Sequence, residues 1–261
     1  MLDFEKHLSS AIQKFNDKMG YSFSPESIVL RTFNGRNYKR VYNEFVSEHS
    51  FHKEDPEHLK STKAEVFPYG KNDVSGILLR ENIKASVAEY IMLHELSHEF
   101  LTREEIKGGH FYDRFCSGHP RTQMEIIDDG TINAGYAIWR EFAAELLASF
   151  IMGLSIIRDP ELLDVSDRIE QVVVGNPSAK VILATVLCDY AICEKLSEMD
   201  WKDHIDKIVM PFPNTLKLVL EQAHRIPFYR ITPEFVYSVG QRYLFELFNN
   251  SLNPGKAVMG S

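Results

Sequence analysis

Residues 91–101 read IMLHELSHEFL, and this stretch places two histidines four positions apart with a glutamate directly after the first. On an α-helix that turns about 100° per residue, His98 lies about 40° from His94 and one turn further along, so both imidazoles can reach one ion. Glu95 lies to one side of the pair, where a carboxylate can take a proton from metal-bound water without itself binding the metal. The stretch therefore predicts a helix that carries a zinc site.

The rest of the same helix is apolar. Met92, Leu93, Leu96 and Phe100 fall on the face opposite the histidines, which predicts a helix that runs through the protein interior. A histidine pair is costly to bury without partners, and a metal ion would satisfy it. The alternative is that the pair is accidental, in an all-helical interaction protein that binds no metal.

A catalytic zinc ion typically has three protein ligands and a water, so a third ligand must come from elsewhere in the chain. The stretch WREFAAELLASF at 139–150 offers Glu141 and Glu145, two carboxylates one turn apart in an otherwise apolar helix. Glu141 is predicted as the ligand and Glu145 as the acceptor for the N–H group of a ligating histidine. Two alternatives stay open: the glutamates could exchange these roles, or both could lie on a solvated edge. Small residues would let this helix approach the HELSH helix closely: Ala143, Ala144 and Ala148.

Other residues compete for secondary roles. Residues 102–133 have no clear period and are predicted as a long irregular excursion. Further conceivable ligands lie there, namely His110, Asp113, His119, Asp128 and Asp129. The group that would stabilise an oxyanion stays open among Tyr112, Tyr136, His110, His204 and His224. The strand before the HELSH helix, with Gly76, Ile77 and Leu78, is predicted as the sheet edge with which an extended peptide substrate pairs; the alternative is a plain buried strand.

HELSH together with EFAAE at 141–145 resembles the gluzincin branch of zinc metallopeptidases. The resemblance implies that His94 and His98 are ligands, that Glu95 is the general base and that a glutamate, Glu141, is the third ligand. Glu145 stands where that branch more commonly has aspartate. The order of strand, GILL, HELSH helix and FAAELL is similar to bacterial ImmA/IrrE-type peptidases, which are cytoplasmic and often act on DNA-binding repressors. The resemblance covers about 64–150.

Hydrophobic patterning predicts a helix-rich α+β fold. We expect a zincin-like core at 1–158, with a small N-terminal sheet packed on the HExxH helix, and a helical C-terminal part at 159–261 that packs on the core as one unit. Strands are predicted at 28–30, 64–67 and 75–79, and helices at 3–19, 37–47, 85–101, 135–157, 178–198, 213–224 and 232–250.

Composition narrows the class of protein. The 261 residues carry a net charge of −8, which argues against a broad nucleic-acid surface. Three cysteines without CxxC spacing favour a reducing compartment, and we predict a cytoplasmic location. No stretch is apolar enough to span a membrane. The sequence thus predicts a peptidase with one zinc ion per chain that acts on a peptide or protein; a regulatory protein partner stays open. The alternative is a catalytically silent zinc-binding regulatory or interaction protein on the same scaffold.

Overall fold

The computed structural model of the chain describes residues 3–109, 123–153, 212–223, 225 and 227–252. This part of the chain forms six α-helices and one three-stranded sheet. The helices are α1 (Phe4–Met19), α2 (Tyr38–His49), α3 (Ala85–Gly109), α4 (Gln123–Met152), α5 (Pro213–Ala223) and α6 (Pro233–Leu252). The strands are β1 (Ile28–Phe33), β2 (Ala64–Phe67) and β3 (Ser75–Arg80). The predicted helix-rich α+β class is confirmed.

The sheet has the order β1-β3-β2, with β1 parallel and β2 antiparallel to β3. The predicted peptide-pairing edge at Gly76, Ile77 and Leu78 is wrong because β3 is the central strand. Gly76, for example, lies opposite Val29 on one side and Phe67 on the other. The hydrogen-bonding groups of β3 therefore serve the sheet on both sides, and β1 and β2 form its edges.

Each face of the sheet is covered by a helix that follows a strand. Leu78 and Phe67 belong to a buried cluster with the α2 side chains Tyr42 and Phe45. Side chains alternate along a strand, so Ser75 points to the other face, where its hydroxyl donates to Glu99 of α3 at 2.5 Å. The HELSH helix thus packs on the sheet face opposite α2, as the predicted packing of sheet on HExxH helix requires.

The chain divides into two compact units. Among the described residues, the first unit contains 3–103 and 147–153. Within it α1 packs on α3, where Phe15 and Phe100 have ring centroids 5.5 Å apart and Lys14 pairs with Glu89 at 2.8 Å. The last turn of α4 belongs to the same unit, and the Tyr90 phenol lies 3.1 Å from the Ser149 hydroxyl.

Among the described residues, the second unit contains 104–109, 123–146 and those from 212 onward. Its helices α4 and α6 approach so closely that a β-carbon at Gly135 would overlap the backbone of Val236, and one at Gly240 would overlap the backbone of Thr131. Trp139 is fully buried beside them. Glu246 of α6 accepts hydrogen bonds from the first residues of α5, including the Asn214 amide at 2.7 Å, and so caps that helix.

Three predicted helix boundaries need correction. The stretch 102–133 is not irregular throughout, because α3 continues to Gly109 and α4 begins at Gln123 rather than near 135. α4 also ends at Met152, before the predicted 157. The helix predicted at 178–198 and the domain boundary predicted at 158 lie outside the described residues. None of the helices in the described part of the chain has the length and apolar character that a membrane crossing requires.

Candidate metal centre

The HELSH helix passes through the interior, as its pattern predicts. Met92 and Leu93 are fully buried, and so in effect are Leu96 and Phe100. The polar residues of the motif lie in the same environment: Glu95 is 7% exposed, His98 is 5% exposed and His94 is half-buried. Buried polar side chains need hydrogen bonds, ion pairs or a metal ion in place of the interactions with water that they lose.

The two imidazoles of the motif turn towards each other. His94 Nε2 and His98 Nε2 are 3.0 Å apart, and the rings are inclined at 87°. Two nitrogens bound to one tetrahedral zinc ion at about 2.05 Å would be separated by about 3.3 Å. The observed separation is therefore close to that of a chelating pair.

Glu141 completes a group of three potential ligands. His94, His98 and Glu141 each offer one ligand atom, and these atoms all lie within 4.8 Å of one another. Glu141 is half-buried on α4, where Phe142, Ala143 and Ala144 are fully buried. The donor set of two imidazole nitrogens and one carboxylate oxygen is compatible with one metal ion.

A polar cluster that the sequence analysis did not identify supports α3 beside this group. Glu99 is 1% exposed, accepts from the Ser75 hydroxyl and forms an ion pair with Arg103 one turn on. Arg103 also pairs with Asp73 at 3.2 Å. Burial opposes the charge on Arg103, but the hydrogen bonds that it donates to Glu99 and Asp73 outweigh this effect and raise the pKa of Arg103. The signal was present in the sequence as a glutamate and an arginine one turn apart at the end of an apolar stretch.

The hairpin turn between β2 and β3 reaches the end of the motif. Tyr69 has a positive φ of 57° and donates to the Thr102 carbonyl at 3.4 Å, while the Thr102 hydroxyl donates to the His98 carbonyl at 2.8 Å. Burial, reinforced by the charge of Glu99, raises the pKa of Tyr69 to about 12. The phenol therefore stays protonated at neutral pH and keeps its donor role.

The other residues that the sequence suggested for this site lie partly within and partly outside the described chain. Glu145 is half-buried one turn after Glu141, and Tyr136 is half-buried on the same helix. Asp128 and Asp129 lie within α4. The rest lie outside the described residues, namely His110, Tyr112, Asp113, His119, His204 and His224.

Comparison with protein-family models, with curated proteins and with solved structures found no match. Two imidazoles and a carboxylate converge, and a second carboxylate, Glu95, follows the first imidazole in the sequence. Such an arrangement can hold a Lewis-acidic ion beside a base.

Proposed function

We propose that the protein is a zinc-dependent peptidase with a zincin-like core and one zinc ion per chain. The observation that carries the proposal is the convergence of His94, His98 and Glu141 within 4.8 Å. Three protein ligands leave one position of a tetrahedral ion for water, which is the arrangement of catalytic rather than structural zinc sites.

The donor set alone does not select zinc, because two histidines and one carboxylate also suit Fe(II). Glu95 favours zinc hydrolysis. A carboxylate directly after the first histidine ligand is the residue that HExxH enzymes use as general base, whereas an iron oxygenase has no need of it. The same residue argues against a catalytically silent scaffold, since a structural metal does not require a base.

A bound zinc ion would supply Lewis acidity, lowering the pKa of a coordinated water towards neutrality and polarising the peptide carbonyl. Glu95 would accept the proton of the attacking water and then deliver it to the leaving amine nitrogen. Its low exposure of 7% supports this role, because a carboxylate with little access to bulk water is a better base than a solvated one. The residues that would hold the ion are His94, His98 and Glu141.

The predicted role of Glu145 is to orient a histidine ligand. Ligating imidazoles typically donate their second N–H group to a carboxylate. Glu145 is half-buried on α4 one turn after Glu141, and it is not among the three grouped ligand residues. We therefore assign Glu145 to orient a ligating histidine rather than to bind the ion.

The substrate class we propose is an extended peptide or protein segment, and the location is the cytoplasm. With β3 central in the sheet, pairing with a substrate strand would fall to an edge strand. The resemblance of HELSH and EFAAE to gluzincin peptidases supports the reaction type. The cysteine pattern supports a reducing compartment.

The test is metal content together with peptide hydrolysis, measured on protein purified without chelator or histidine tag. The wild type should carry about one zinc and little iron, and Glu141→Ala should lose the zinc. Glu145→Ala should retain zinc with weaker affinity, by roughly 10- to 100-fold. Glu95→Gln should keep its zinc and lose about 10²- to 10⁴-fold in hydrolysis of a peptide library.

Glu221→Ala, an exposed helical glutamate outside the centre, serves as the matched control. A wild type without zinc would overturn the metal centre. A zinc-loaded protein in which Glu95→Gln leaves hydrolysis unchanged, or that cleaves no peptide at all, would overturn the peptidase and leave the silent scaffold.

A further inference from the structure

A side-chain tie joins the 3-10 turn Pro56–Lys60 to the edge strand β2. The His58 ring bridges two acceptors: Nδ1 lies 2.6 Å from the Asp55 carbonyl oxygen and Nε2 lies 2.8 Å from a carboxylate oxygen of Glu65. Glu65 belongs to β2, which pairs with β3 on one side. The tie therefore holds the outer strand of the sheet from a segment that lies outside the sheet.

Both partners of His58 can only accept hydrogen bonds, since one is a carbonyl and the other is a carboxylate. The ring can donate to both at once only when both nitrogens carry a proton. A neutral imidazole has one N–H group and must give up one of the two bonds. The geometry thus requires the imidazolium form.

We propose that protonation of His58 closes a clamp on the edge strand β2, and that loss of this proton opens the clamp, so that the local stability of β2 depends on pH. The inference does not rest on the proposed peptidase function or on the metal centre. It concerns residues of the first unit on the α2 side of the sheet.

Acidic groups surround the ring. Glu65 faces it from β2, and Glu54 faces it from the segment before the 3-10 turn. Burial opposes the charge on His58, but the hydrogen bond and charge of Glu65 and the nearby charge of Glu54 outweigh it, so the pKa of His58 is raised. A raised pKa means that the clamp contributes stability in full below the ordinary histidine pKa and loses it as pH rises through the raised value.

The other groups near the ring do not reverse this balance. Lys60 is on the same turn, but it is paired with Glu57 at 2.5 Å. Arg80 of β3 is engaged by backbone carbonyls, among them that of Lys60 at 2.7 Å. Tyr42 of α2 is neutral, because burial and the neighbouring acids raise its pKa.

β2 is a strand in which a single clamp can matter. It has four residues and, among the described strands, one pairing partner. Edge strands open at lower free energy than the centre of a sheet. A partly exposed pair, with His58 38% and Glu65 24% exposed, should change the local opening equilibrium by about two- to fivefold.

The first experiment is an NMR titration of the histidine Cε1–H signals, with His58→Gln used to assign the resonance. Glu65→Gln should lower the titration midpoint of His58. Glu54→Gln is the matched control, because it removes a nearby negative charge without removing a hydrogen bond to the ring; its effect should be smaller. An unchanged midpoint in Glu65→Gln would overturn the tie.

The second measurement is hydrogen exchange of residues 64–67, corrected for the intrinsic pH dependence of exchange. In the wild type, protection should fall about two- to fivefold as pH rises through the His58 midpoint. In His58→Gln, protection should be low and independent of pH. Wild-type protection that does not change across the midpoint would overturn the clamp, and this result requires no variant.

Discussion

Buried charge is the feature of single residues that most constrains the centre. Glu95, His98 and Glu99 all lie within about one turn of α3, and none is more than 7% exposed. Arg103 neutralises Glu99. Glu95 and Glu141 add two further carboxylates to the histidine pair, and a divalent cation carries the charge that would offset them. The metal ion that we propose would therefore lower the electrostatic cost of burying these carboxylates together.

Gly76 is a residue whose smallness the core requires. A β-carbon there would lie 2.6 Å from the rings of Phe45 and Phe51, which are both buried against the sheet. Gly76→Ala should therefore reduce the free energy of unfolding by about 1–3 kcal/mol, because well-packed rings must shift to admit the methyl group. Urea denaturation of the two proteins measures the difference.

Gly35→Ala is the control for this prediction, since nothing lies within 4 Å of a β-carbon at that position. It should change stability by less than about 0.5 kcal/mol. Equal effects of the two substitutions would contradict the packing argument at Gly76.

Among the elements, α4 carries Glu141 and also packs against α6. Gly135 lies between one and two turns before Glu141, where α4 crosses α6 with backbone in contact with backbone. Gly135→Ala should destabilise the protein by about 1–3 kcal/mol, since the helices must separate to admit the side chain. The same separation should shift Glu141 and weaken metal binding. Thermal unfolding and metal titration measure the two effects.

Gly130→Ala on the same helix provides the control, because nothing lies within 4 Å of its β-carbon. Alanine there should be neutral or stabilising by up to about 1 kcal/mol through its higher helix propensity. If Gly135→Ala matched Gly130→Ala in stability, the close crossing would be contradicted.

The elements also show what sequence can and cannot predict. The ends of α1 follow from local chemistry: Asp3 caps the first turn, and Gly20 adopts a left-handed φ of 61°. The start of α4 does not, because Asp128, Asp129 and Gly130 resemble a turn locally but lie within the helix. The central position of β3 could not be predicted either, because its parallel partner β1 is distant from it in the sequence.

Some residues of the candidate centre were easier to predict from the sequence than others. His94 and His98 share a helix, so their spacing alone implied a common ion. Glu141 lies on another helix, and only the apolar surroundings of two glutamates pointed to it. Glu99 and Ser75 support the site through a contact between helix and strand, and a contact of that kind leaves no periodic pattern in the sequence.

For the whole molecule, a metal that joins two helices should couple binding to folding. The proposed ligands from α3 and α4 come together only in the folded chain, so the zinc ion that we propose should bind the native state in preference to the unfolded state. At a free zinc concentration of about 100 times Kd, the stabilisation should be about 2.7 kcal/mol, with Tm rising by about 2–4 °C per kcal/mol. Differential scanning calorimetry with zinc and with chelator measures this difference.

The pH dependence of this stabilisation follows from the ligands. Imidazoles must lose a proton to bind zinc, so the increment should be full well above about pH 6.5 and should shrink as pH falls below it. Glu141→Ala should show little increment at any pH, which separates specific binding from binding to surface histidines. A wild-type Tm that is the same in zinc and in chelator at about pH 8 would contradict the coupling.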